Sequence, residues 1–269
     1  SIPLSEHEVS CSPCLALCDP NSDEVLFCRL ITFIGHSGGA QLVSRYAIIG
    51  KDAPSGVNVR FVVSNPSSQL YFTKDRPVTV DTDSCSSDNK YRYSLHDYTP
   101  GAAYPLPLGG SHVALFKRWA ERDLRYIIGA EDTESQGDQS CMAHATGGVE
   151  RTRRNQAYWK YINLLGDDRK NADVSDFFGR FATLDGRPRK SSKTARASDD
   201  EEDDARRGGR THSRSTKKYA ELFKGTFVNH RFALVDGVGH SYKKIYNSEI
   251  GARFLLKARS DLKNSAAPA

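Results

Sequence analysis

The chain holds a single methionine, Met142, among its 269 residues, and it opens on Ser1. Such a sequence is expected to be a processed product or a fragment, with any targeting leader out of view. No apolar run approaches the 18 or so residues that cross a bilayer as a helix, so no membrane span is expected. Net charge is small as well. The formal charge is +5 and it sits in one place: residues 187–218 hold 11 of the 38 basic and 6 of the 33 acidic residues, leaving 27 of each elsewhere. A domain that grips nucleic acid needs basic side chains spread over its surface, so nucleic acid is not an expected partner of the folded part.

The same stretch, "RPRKSSKTARASDDEEDDARRGGRTHSRSTKK", lacks aromatics and any aliphatic residue larger than alanine. It cannot bury enough surface to offset the entropy of ordering its backbone. It is expected to be a disordered surface insertion at about 187–218. Its basic, acidic and basic blocks could bind RNA or an acidic partner, and Ser198 could be phosphorylated; a plain solvated loop is the alternative.

What is there is 38% apolar, enough for one domain with a core. Leu30 to Ile34 reads as a buried strand, 39–49 as a helix and Val57 to Val63 as the next strand. Residues 66–110, rich in Pro, Gly, Ser, Asp and Tyr, look like a long excursion. "SHVALFKRWAERD" (111–123) has helical spacing with Ser111 as a cap, and Leu124 to Ile128 reads as a third strand. "RTRRNQAYWKYINLL" (151–165) is expected to be helical, "GTFVNHRFALV" (225–235) a fourth strand and "NSEIGARFLLKA" (247–258) a closing helix. Strands alternating with helices predict an α/β fold, a parallel sheet of about four strands flanked by helices. The expected organisation is an irregular Cys-containing segment at 1–29, the α/β domain at 30–257 and a polar tail at 258–269.

At the first strand-to-helix turn stands "GHSGG" (35–39). A serine between glycines is weak by itself, but a sharp strand–turn–helix holds such a serine strained and exposed, with small residues at Gly35 and Gly39. Ser37 then lies at a helix N-terminus, where the Gly38 N–H can donate to an oxyanion. A serine hydroxyl needs a base to take its proton, and the base needs a third group to fix its tautomer. His240, in "FALVDGVGHS", follows the last strand on a glycine turn and is the best-placed base, a loop-packing histidine being the alternative. "RYIIGAEDT" ends the third strand with Glu131 and Asp132, of which Asp132 is preferred as the orienting acid. His36 is expected to pack or bond locally.

Serine, acid and histidine in that chain order, each after a successive strand, resembles the α/β-hydrolase superfamily. More narrowly, "FVVSNPSSQLYF" (61–72), "RYIIGAEDT" (125–133), "RTRRNQAYW" (151–159) and "DGVGHS" (236–241) are similar to segments of a poorly characterised group of extracellular α/β-hydrolases. The resemblance covers about 30–180 and 222–257. It implies Ser37, Asp132 and His240 in the catalytic roles, a small acyl substrate, no metal or organic cofactor, and a secreted or lumenal setting. With the loop positions of Cys85 and Cys141, it also leads to an expected disulfide between them; two unrelated reduced thiols are the alternative. Cys11, Cys14, Cys18 and Cys28 match no zinc-finger spacing.

The superfamily sets its nucleophile after the fifth strand of eight, and residues 1–29 contain no strand-helix-strand unit and no His-Gly-Gly loop. Half a sheet is therefore expected, with Leu30 to Ile34 as an exposed edge and Gly38 as the one identified oxyanion donor. The expected activity is an esterase-like serine hydrolase, weak or silent in the isolated chain. A catalytically silent module that binds a partner through the charged insertion is the alternative.

Overall fold

The computed structural model of the chain describes residues 30–77, 85, 89–98, 106–133, 137–168, 171–172, 180–181, 184 and 220–257. The charged insertion, the segment at 1–29 with its four cysteines, and the tail lie outside them.

Four strands, β1 (Leu30–His36), β2 (Asn58–Ser64), β3 (Asp123–Gly129) and β4 (Arg231–Val235), form one parallel sheet in the order β1-β2-β3-β4. Helices α1 (Gly38–Ile49) and α2 (His112–Glu121) connect successive strands, followed by α3 (Cys141–His144) and α4 (Arg151–Leu165); α5 (Tyr242–Asn247) and α6 (Glu249–Leu256) close the chain. Alternate side chains of each strand leave by opposite faces. Phe61, Val63, Leu124, Tyr126, Ile128 and Phe232 pack with α1, α2 and α4 in the larger core. Val62, Ile127, Ala233 and Val235 pack with Ile245 and Phe254 of α5 and α6 on the other side. Both faces are covered, which is why these strands read as continuous apolar runs.

β1 is the edge of this sheet among the described residues. Phe33 and Ile34 are 37% and 42% exposed, so the strand read as buried is only partly so.

The excursion after β2 differs most from expectation. Residues 66–73 have almost no regular structure, yet Leu70, Tyr71 and Phe72 are fully buried. Buried backbone without a ladder still needs hydrogen-bond partners. Helix α4 supplies them. Tyr161 Oη accepts from the N–H groups of Phe72 and Thr73 at 3.0 Å each, Tyr158 Oη donates to Leu70 O at 3.0 Å, and Asn155 Nδ2 donates to Pro66 O at 3.0 Å. This explains how so polar a helix can be buried nearly all round.

Two boundaries also differ. The fourth strand starts at Arg231, because the preceding residues turn to α2: Asn229 N donates to Ala120 O at 2.9 Å, and His230 Nε2 bonds Trp119 O at the same distance. The closing helix is two helices. Ser248 has an extended backbone, and its hydroxyl accepts from Gly251 N at 2.9 Å, capping α6.

Cys85 and Cys141 form a disulfide, with Cα atoms 5.6 Å apart and a sequence separation of 56. It ties the excursion to the start of α3, which follows Asp132 in the chain. Closing a loop of this length stabilises by about 4 kcal/mol in the chain-entropy model. Reductant is expected to lower the urea midpoint accordingly, and a non-reduced peptide map should return the Cys85–Cys141 pair. Two free thiols in that map would refute the bridge.

Candidate active site

The turn after β1 is built by close backbone approach. A Cβ on Gly35 would lie 2.4 Å from Gly39 O, so the strand can meet the start of α1 only through glycine there. Gly39 differs from expectation: a Cβ on it would meet nothing within 4 Å, so contact does not require its smallness.

Ser37 has φ 56° and ψ −119°, a conformation rare and strained for a residue with a side chain. Its N–H is fixed to Ser64 O, at the end of β2, at 2.9 Å. Although Ser37 stands at the N-cap of α1, its hydroxyl makes no capping bond. Ser111, Ser140, Ser241 and Ser248 all cap their helices through theirs. The Ser37 hydroxyl is thus exempt from the use a helix start ordinarily makes of it. Gly38 N begins the helix, where the first N–H groups have no intrahelical partner.

After β3 the chain turns at Gly129, where a Cβ would lie 2.4 Å from both Val238 O and Gly239 O. Here the β3 and β4 turns meet. Glu131 N donates to Val238 O at 3.0 Å, and Asn65 joins them, accepting from Gly129 N at 2.8 Å and donating to Gly239 O at 3.2 Å. Glu131 is exposed and Asp132 fully buried. His240 Nδ1 bonds Asp132 Oδ2 at 2.8 Å, and the histidine side chain is 25% exposed. With Nδ1 donating, Nε2 is left as the proton acceptor.

His36 lies against His240, ring centroids 4.5 Å apart, and bonds Ser64 Oγ through Nδ1 at 3.2 Å, the local role expected of it. Ser37 follows His36 directly in the chain, so the turns after β1, β3 and β4 share one neighbourhood at the C-terminal ends of the strands. Among the described contacts no hydrogen bond joins the Ser37 hydroxyl to His240. A groove of about 810 Å³ lies at the opposite ends of the strands, lined by Leu30, Phe33, Tyr46, Val57 and Phe61 among others, and shares no residue with this site.

Burial, then the charge of His240, holds His36 at about 4. His96, His112 and His144 are also lowered, burial being the first cause in each. The unfolded chain therefore binds protons near pH 6.5 that the fold resists. Stability should fall as pH drops from about 6.5 toward 4, with Asp75, raised by burial, opposing in part. Urea midpoints at about pH 7.5 and 4.5 test this; an equal or higher midpoint at the acidic pH would contradict it.

The sequence reading assigned no role to Asn65, Ser64 or Arg151. Asn before proline at a strand end was a local signal for the first, since Asn tolerates the left-handed φ of 47° found there.

No family model matches the chain, and no curated protein matches it. Among solved structures, 77% of it aligns with 48% of poly(aspartic acid) hydrolase-1 from Sphingomonas sp. KT-1, at 16% identity and a TM-score of 0.38. LpqC, a poly(3-hydroxybutyrate) depolymerase from Bordetella parapertussis, aligns over 79% of this chain and 46% of its own, at 12% identity and a TM-score of 0.36. The chain spans about half the length of these structures.

Proposed function

We propose that the protein is a serine hydrolase of α/β-hydrolase type acting on an ester or related acyl bond. The observation that carries this reading is the buried Asp132 held 2.8 Å from His240, beside an uncapped serine on a strained strand-to-helix turn.

Ser37 Oγ attacks the acyl carbon while His240 Nε2 takes its proton; Asp132 keeps Nδ1 protonated and steadies the imidazolium that forms. The Gly38 N–H donates to the oxyanion. His240 then returns the proton to the leaving group, and water repeats the sequence on the acyl-enzyme. The missing Ser37–His240 bond is compatible with this, because nucleophile–base bonds are often loose without substrate.

A fluorophosphonate probe tests the reading. One adduct is expected on the peptide containing Ser37, none in Ser37→Ala, and less than a hundredth of the wild-type rate in His240→Ala. Absence of any adduct on the folded wild-type protein would favour the silent binding module instead.

A further inference from the structure

The first turn of α4 carries three arginines, Arg151, Arg153 and Arg154. Cations are disfavoured at a helix N-terminus, where the dipole is positive, and burial adds a desolvation cost. Arg153 stays exposed and pairs with Glu150. Arg154 is buried, and its guanidinium donates to the carbonyls of Ser67, Asp138, Gly148 and Val149 and to Gln139 Oε1, so it pins loops.

Arg151 is used differently. Its side chain is 1% exposed, and Nε donates to Asp132 Oδ1 at 3.0 Å and Oδ2 at 3.1 Å, on the carboxylate that receives His240. Its neighbour strengthens the clamp: Thr152 N donates to Asp132 O at 3.2 Å, and Thr152 Oγ1 donates to Gly129 O at 2.8 Å.

We propose that Arg151 is a positioning residue of the candidate hydrolase: it holds Asp132 for His240 and offsets the carboxylate's charge, so the proton-accepting imidazole faces an ion pair rather than a bare anion. The catalytic meaning rests on the hydrolase reading; the charge relation does not. Among the described residues the His36 ring, from the end of β1, also lies against His240, and the ring of Tyr242 of α5 lies 6.1 Å from that of His36. Arg154 also senses both Asp132 and Arg151. The field of Arg151 reaches the adjoining histidine, His36, where, after burial and the charge of His240, Asp132 and Arg151 act in opposite directions.

The test is the titration midpoint of His240, read from its ring proton by NMR and assigned by loss of the resonance in His240→Gln. In Arg151→Gln the carboxylate acts alone and favours the imidazolium, so the midpoint should rise by about one pH unit or more. Fluorophosphonate labelling of Arg151→Gln at about pH 5.5, normalised to that at about pH 8, should then fall roughly tenfold below the same ratio for wild type. Arg151→Lys restores the cation and should return the midpoint toward wild type. In the double variant Asp132→Asn, Arg151→Gln, both charges are absent and the midpoint should stay within about half a unit of wild type, the ion pair having contributed little net field.

A folded Arg151→Gln with an unmoved midpoint would overturn the proposal. If that variant does not fold, the double variant decides: a midpoint about a unit below wild type would show that the carboxylate is not offset. Failure of the hydrolase reading looks different, as absence of labelling in the wild type at any pH, and leaves the midpoint comparison intact.

Discussion

Ser37→Ala is expected to lower acyl turnover by about 10⁴ to 10⁶, to whatever the remaining site achieves by binding alone. The change deletes one oxygen, and that oxygen caps no helix and makes no hydrogen bond among the described residues. The bond from the residue 37 N–H to Ser64 O and the left-handed φ are backbone properties that alanine inherits. The circular dichroism spectrum and urea midpoint should therefore stay close to wild type while turnover of an activated ester collapses. Activity within tenfold of wild type would mean that Ser37 is not the nucleophile.

Asp132→Ala should damage fold and chemistry together. It strips the buried Arg151 guanidinium of that carboxylate, and breaking a buried pair from one side typically costs about 3–5 kcal/mol. It also removes the group that orients His240, for which losses of about 10⁴ are typical. Asp132→Ala combined with Arg151→Met removes both buried charges and should recover much of the stability but none of the turnover. Urea unfolding and ester hydrolysis on the three proteins separate the effects. A single variant destabilised by less than about 1 kcal/mol would show that the pair is not buried in solution as it is in the structure.

Several features were legible because they depend on short stretches. Short continuous apolar runs marked the four strands and helical spacing the main helices, since a sheet covered on both faces leaves little room for polar residues along its strands. Ser111 marked the start of α2 through a bond to Ala114 N, three residues away. The glycine at 35 marked a strand and helix in contact across four residues. By contrast, "SNPSSQLYF" had the composition of a surface loop and is core, because its partners are side chains of α4, more than 80 residues further on. Composition reports what a segment could bury alone and says nothing of what a distant helix will satisfy for it.

Adjacent in the chain, Glu131 and Asp132 are separated by burial, which places Asp132 under the β4 turn and Glu131 in solvent. Arg151 had no such local sign, since nothing in a run of three arginines at a helix start marks which of them is buried. The sequence by itself determined the alternation of strands and helices, the strained serine turn, and the order of serine, acid and histidine along the chain, because each rests on backbone sterics and periodicity within a few residues. Only the tertiary structure decided that a polar helix fills the core, that the Asp132 carboxylate serves a guanidinium and an imidazole at once, and that Asn65 joins the β3 and β4 turns. Those are hydrogen bonds between residues far apart in sequence, and their strength comes from a dry interior that exists only once the chain has closed around them.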